Sequence, residues 1–211
     1  AFMNQLGVVE MIKGAYFPYQ GIYSIPLALK KLCLELGVNI KMNSKVENIN
    51  YRRKKFSIDT ENETIDADVL LSNVDFFTTQ KLLGRKINVK FNNLSTSCLV
   101  FYWGMKKEFP SLQLHNIIFT KDYKNEFDEI FKKKLISDPT IYINISSKME
   151  KSHAPSGSEN WFVMINLPAD VKSMNSDIIK KLRELVILKI SAFLKINIEP
   201  LIAVEEMLTP I

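Results

Sequence analysis

The chain has 211 residues, room for one large or two small domains, and its 46% apolar share is that of an ordinary soluble globular protein. A formal charge of +5 is spread over interspersed Lys and Glu, and no apolar run approaches the roughly 20 residues of a membrane span, so a disordered or membrane-embedded chain is excluded. Nucleic acid is excluded as a partner because no binding motif accompanies the charge, and the basic clusters at 52–55 and 132–134 read as solvated turns or helix ends with at most a weak attraction to anionic lipid.

In chain order, residues 1–13 are apolar at mixed helical spacing and read as a helix interrupted at Gly7. A Gly- and aromatic-rich turn follows, with Tyr16, Phe17, Pro18, Tyr19 and Gly21 close together. Ile25, Leu29, Leu32 and Leu36 then share one helical face, with Ser24 as N-cap, Pro26 in the first turn and Gly37 as the left-handed stop. Residues 38–42 alternate as a strand, and a second strand begins at Val46 and Ile49. A basic turn at 52–55 leads to a hairpin of 56–59 and 64–65 around 61–63. Residues 68–73 carry a short apolar run at 69–71 and read as a strand buried on both faces, and Asp75 caps a helix over 76–83 that stops at Gly84.

Beyond about residue 88 the character changes. Segments 97–103, 115–119, 140–145 and 161–167 are rich in β-branched and aromatic residues, the first ending at Gly104. Their long connections, one containing a charged helix over 122–134, suggest an antiparallel sheet. Asn175 or Ser176 caps a helix with Ile178, Ile179, Leu182, Leu185 and Val186 on one face. The predicted class is α+β, with an α/β layer over 1–87 and a mostly antiparallel domain over 88–211.

Candidate chemistry is sparse. Cys33 and Cys98 read as buried, reduced thiols of a cytoplasmic protein, and no His/Cys/carboxylate cluster has metal-ligand spacing. There is no Gly-x-Ser-x-Gly elbow. The two histidines are His115 and His153; His115, at a strand start, reads either as facing a pocket or, the favoured alternative, as a satisfied structural residue. Asp122, Glu126, Asp128 and Glu129 share a helix with Lys121, Lys124 and Lys132 and read as a solvated face rather than an acid–base pair. The seven glycines, at 7, 14, 21, 37, 84, 104 and 157, never stand one residue apart, so the Gly-x-Gly-x-x-Gly dinucleotide fingerprint is absent.

Several stretches, in order, resemble the bacterial carotenoid desaturases of the phytoene desaturase family, which are FAD-dependent oxidoreductases. They are YFPYQGIYSIPLALKKLCLELGVNIKMNSKVENI (16–49), ADVLLSNVD (67–75), HNIIFTKDYKNEFDEIF (115–131), DPTIY (138–142), APSG (154–157) and LTP (208–210). The resemblance implies that 1–87 is part of a Rossmann-like FAD domain lacking its glycine-rich start, and that 88–211 binds substrate. It implies FAD contacts from the backbone of Val46, from Ser72 and Asn73, and from Gly21, where the family usually has two adjacent glycines and this chain has Gln20 before Gly21. It also implies an apolar tunnel for a long polyene, lined from Phe101, Trp103, His115, Phe119 and Tyr142 together with Tyr102, Trp161 and Phe162; alternation places half of a strand's residues on either face, so core packing is the competing role.

The expected activity is hydride transfer from a polyene C–C unit to flavin, by a cytoplasmic protein peripheral to the membrane. Isomerase, oxygenase and saturase relatives are not separated by these residues. The start at Ala1, without an initiator Met or a leader, leads to the expectation of an internal fragment that alone binds FAD weakly or not at all and is inactive. The alternative is a non-enzymatic lipid- or protein-binding domain that has lost the flavin site.

Overall fold

In the computed structural model, residues 2–86, 95–132, 134–169 and 175–210 are described, with side chains from Gly7 onward. Contacts divide the chain into two units, Leu27–Asn93 and Ala1–Pro26 with Leu94–Ile211. The expected boundary near 88 falls between the described segments, and residues 1–26 group with the later part of the chain.

Helix α1 (Phe2–Lys13) runs uninterrupted through Gly7 and ends at Gly14, whose φ of +80° suits only glycine well. In α2 (Ser24–Glu35), Ser24 does not cap as expected; its hydroxyl donates to the Gly21 carbonyl at 2.7 Å. The C-terminus does close as read: Gly37 takes φ +80°, Val38 N–H donates to Cys33 O at 2.9 Å and Gly37 N–H to Leu34 O at 3.0 Å. The apolar face of α2 is exposed throughout, including Leu29 and Leu36.

The smaller unit contains an antiparallel meander of β1 (Val46–Arg52), β2 (Lys55–Thr60) and β3 (Thr64–Ala67). Arg53 and Lys54, both at positive φ (52° and 63°), make the two-residue turn whose twist matches the flanking strands. Ile49 and Ile58, paired across β1 and β2, are its buried apolar residues. Asp75 caps α3 (Phe76–Leu82), accepting from the N–H groups of Phe77 and Thr78; the Thr78 hydroxyl first, then the Thr78 N–H and, less, the Phe77 N–H hold its carboxyl below the usual range. Two expected strands are absent. Residues 38–42 and 68–73 pair with no described strand, and Val69 and Leu71 are 75% and 92% exposed, because alternation and apolarity supply a strand-like face but no ladder partner.

The larger unit is built on a five-stranded antiparallel sheet in the order β5-β6-β7-β4-β8, from β4 (Ser97–Met105), β5 (His115–Ile118), β6 (Ile141–Asn144), β7 (Glu159–Leu167) and β8 (Ile202–Leu208). β4 runs through Gly104, where a bulge shifts its register against β8. One face carries Leu99, Phe101, Trp103, Ile141, Ile143, Trp161, Val163 and Ile165 into a core shared with Leu182, Val186, Ile187 and Ile190 of α5 (Ser176–Leu194). Asn175 caps α5 by accepting from Ile178 N–H at 3.0 Å.

The charged helix, α4 (Tyr123–Phe131), is not solvated all round. Glu126 is buried and accepts from the N–H and hydroxyl of Thr140 at 2.7 and 2.6 Å. Glu159 is likewise buried, accepting from Phe109 N–H and Trp161 Nε1 and pairing with Lys148. Cys33 and Cys98 are free and half-buried rather than fully buried.

Candidate functional site

The second face of the large sheet carries the residues that alternate with those of the core. Cross-strand pairing places His115 beside Asn144, Asn144 beside Phe162, Phe162 beside Tyr102 and Tyr102 beside Glu206, all on this face. An aromatic row crosses four strands. Ring centroids are 5.5 Å apart for Tyr102–Phe162, 6.2 Å for Tyr142–Phe162 and 6.0 Å for His115–Tyr142, with edge-to-face geometry in the first two pairs and stacking in the third. With strands about 4.8 Å apart, the row spans roughly 14 Å.

Around this floor lies a cavity of about 810 Å³, walled by Ile22, Met164 and Val204 in addition to the row. A second cavity, about 450 Å³, lies under the aromatic turn against Tyr16, Phe17 and Met149, and shares Ile22, His115, Asn144 and Ser146 with the first. The shared residues are tied together. His115 Nδ1 is 2.7 Å from the Tyr142 hydroxyl and 3.2 Å from Asn144 Nδ2, while Asn160 Nδ2 and His153 Nδ1 both lie 2.8 Å from Ser146 Oγ. The turn is seated against His153: a Cβ at Gly21 would fall 2.6 Å from His153 Cε1. Glu150, beside it, is held below the usual carboxyl range chiefly by the Ser152 hydroxyl, then by the Ser152 N–H; the Gln20 N–H adds a smaller contribution.

The residues singled out in the sequence are distributed unevenly. His115 and Tyr142 line the large cavity. Trp103 borders it but turns its side chain to the core face, where Nε1 donates to Glu205 at 2.6 Å. Phe101 is completely buried in that core, away from the cavity, and Phe119 is 63% exposed and lines neither cavity. Val46 is half-buried at the start of β1, where it pairs with Thr60. Ser72 and Asn73 are exposed in the segment before α3, with Ser72 Oγ 2.8 Å from Thr79 Oγ1. Gly21 is buried, with φ +84°, and its open side faces His153. Asn144, Ser146, Asn160 and Met164 were not singled out; the period-2 alternation carrying Tyr102 and Phe162 was the available signal, but it does not tell which face lies open.

Among the described residues, no group of three or more His, Cys, Asp or Glu is placed to hold a metal, and no helix is long and apolar enough to cross a membrane.

No protein-family model matches the chain. It is 42% identical over 99% of its length to a 1-hydroxycarotenoid 3,4-desaturase of Flavobacterium sp. (strain P99-3), of which it covers 44%. It is 33% identical over 80% of its length to a zeta-carotene-forming phytoene desaturase of Myxococcus xanthus, covering 34% of that protein, and 28% identical over its full length to a 4,4'-diapolycopene oxygenase of Methylomonas sp, covering 44%. The chain thus spans less than half the length of these relatives. In fold it is similar to an oxidoreductase from Methanosarcina mazei, with a TM-score of 0.59 and 16% identity over 90% of this chain and 42% of that one.

Proposed function

From the premise that this chain is a homologue of the carotenoid desaturases, we propose that it forms part of an FAD-dependent oxidoreductase that oxidises C–C bonds of a long polyene. The observation carrying this reading is the aromatic row along the larger cavity, in a chain with such relatives. A conjugated, apolar substrate fits a floor of Tyr102, Phe162 and Tyr142, whose ring faces and edges pack against it while Met164 and Val204 exclude water.

The residues present do not by themselves fit FAD. The sequence lacks the glycine fingerprint, the open side of Gly21 meets the His153 ring rather than a free cradle, and Ser72 is engaged with Thr79. FAD, when bound, would accept the hydride. The assignment of 1–87 to a flavin domain, with Val46, Ser72 and Asn73 toward the cofactor, is part of the same proposal and rests on the resemblance.

Partition of a polyene into lipid supports a peripheral membrane location, and the exposed Met11, Ile12 and Tyr16 offer apolar surface for it. The test is to purify the whole protein containing this chain, record its visible spectrum and assay C30 and C40 polyenes. A flavin spectrum with polyene turnover is expected. A folded, colourless protein that FAD does not reconstitute would favour the binding-domain alternative.

A further inference from the structure

Neither the backbone nor a close neighbour requires glycine at position 104. Gly14, Gly21, Gly37, Gly84 and Gly157 stand at positive φ, but Gly104 does not. A Cβ built on it would come no nearer than 3.5 Å to any atom beyond its chain neighbours, the nearest being Val204 Cβ, which is an ordinary contact. The register shift that follows it against β8 therefore needs no left-handed residue there. A glycine inside a strand costs conformational entropy and packs nothing, so its place in β4 calls for another reason.

That reason lies on the cavity side. Trp103 and Met105 belong to the core, whereas Tyr102 and Gly104 line the larger cavity. Beside the aromatic row runs a second line across the sheet, in which Gly104 pairs with Asn160 on one side and Val204 on the other. Asn160 is drawn aside: its Oδ1 accepts from Ser147 N–H at 2.9 Å and its Nδ2 donates to Ser146 Oγ at 2.8 Å. Val204 stands on the edge strand and is 63% exposed. Between them Gly104 puts no side chain into the cavity, so the floor dips where the trough crosses β4 toward the sheet edge. The aromatic row spans only roughly 14 Å, shorter than an extended C40 polyene, so such a chain has to run on past the row.

We propose that Gly104 is a specificity residue: a long polyene passes over it from the aromatic row to the β8 edge, and its missing side chain sets the clearance there. The proposal rests on the reading of the trough as a polyene site and adds the path of the chain and the residue that limits it. Any side chain at 104 rises into that path.

The experiment compares the flavin-loaded whole protein with Gly104→Ala and Gly104→Leu on one C40 polyene, and measures unfolding midpoints in urea alongside. Gly104→Ala is expected to keep or raise the midpoint, because alanine costs a strand less than glycine, while kcat/KM falls about three-fold. Gly104→Leu is expected to keep its flavin spectrum and lose about thirty-fold or more in kcat/KM. Stability and activity thus move in opposite directions, which a merely structural glycine would not produce. A folded Gly104→Leu within about two-fold of wild-type activity overturns the proposal, as does a Gly104→Ala whose activity falls only in step with its stability. Either result leaves the polyene reading standing. If Gly104→Leu does not fold, Gly104→Ala decides by the same two criteria. A flavin-loaded wild-type protein that turns over no polyene overturns the reading of the trough and the proposal with it.

Discussion

Gly21 shows how a residue flagged for one reason can be held by another. Its backbone sits at φ +84° and the space a Cβ would fill is taken by the His153 ring, 2.6 Å away. Gly21→Ala is expected to destabilise the protein by about 2–4 kcal/mol, part from the left-handed backbone and part from the clash. Adding His153→Ala should recover the clash and leave the backbone cost, and unfolding of the two variants in urea separates them. Asp138 is a residue whose charge bears on pH dependence. Burial would raise its carboxyl, but hydrogen bonds from Lys189, the Lys121 N–H and the Thr120 hydroxyl outweigh that and lower it from 3.8. A lowered folded-state value means stability that is present above 3.8 and lost as pH falls through the folded value. Asp138→Asn should therefore be less stable than wild type at neutral pH, with the difference shrinking in strong acid; denaturation midpoints across that range check it. Glu126 is legible as a helical carboxylate but not as a buried one, because the donor it accepts from, Thr140, lies 14 residues on, in the loop before β6.

At the scale of elements, residues 97–103 and 161–167 read as strands, and both extend to nine residues as interior strands of the large sheet. Central position explains the agreement: strands paired on both sides need the β-branched and aromatic residues that mark them. β8 was missed because Val204, Glu205 and Glu206 break the apolar signal, as befits an edge strand. Residues 38–42 and 68–73 had the pattern without the partner. The two sides of β4 predict opposite phenotypes. Phe101→Ala should cost about 3–5 kcal/mol of stability, as removal of a fully buried ring does. Tyr102→Ala, one residue on and on the cavity side, is expected to leave the unfolding midpoint nearly unchanged and to raise KM for a polyene about ten-fold through loss of one face of the row, as steady-state assays of the flavin-loaded protein would show.

At the scale of the whole molecule, the chain covers 44% of the 1-hydroxycarotenoid desaturase it resembles and carries no glycine fingerprint. The isolated 211 residues are therefore expected to retain no FAD through gel filtration, whereas the whole protein should elute with a flavin spectrum; flavin on the isolated chain would overturn this reading. The sequence alone determined most helices, the central strands and the kinship with carotenoid desaturases. Each of these is written in local periodicity, capping residues or ordered motifs, which neighbouring positions along the chain suffice to specify. It did not determine that residues 1–26 group with the large sheet, that Glu126 and Glu159 are buried, or that Phe101 and Tyr102 face opposite ways with respect to the cavity. Those follow from long-range pairing and from α5 packing on one face of the sheet while the cavity lies on the other, and period 2 is the same on both faces, so only the tertiary structure could choose between them.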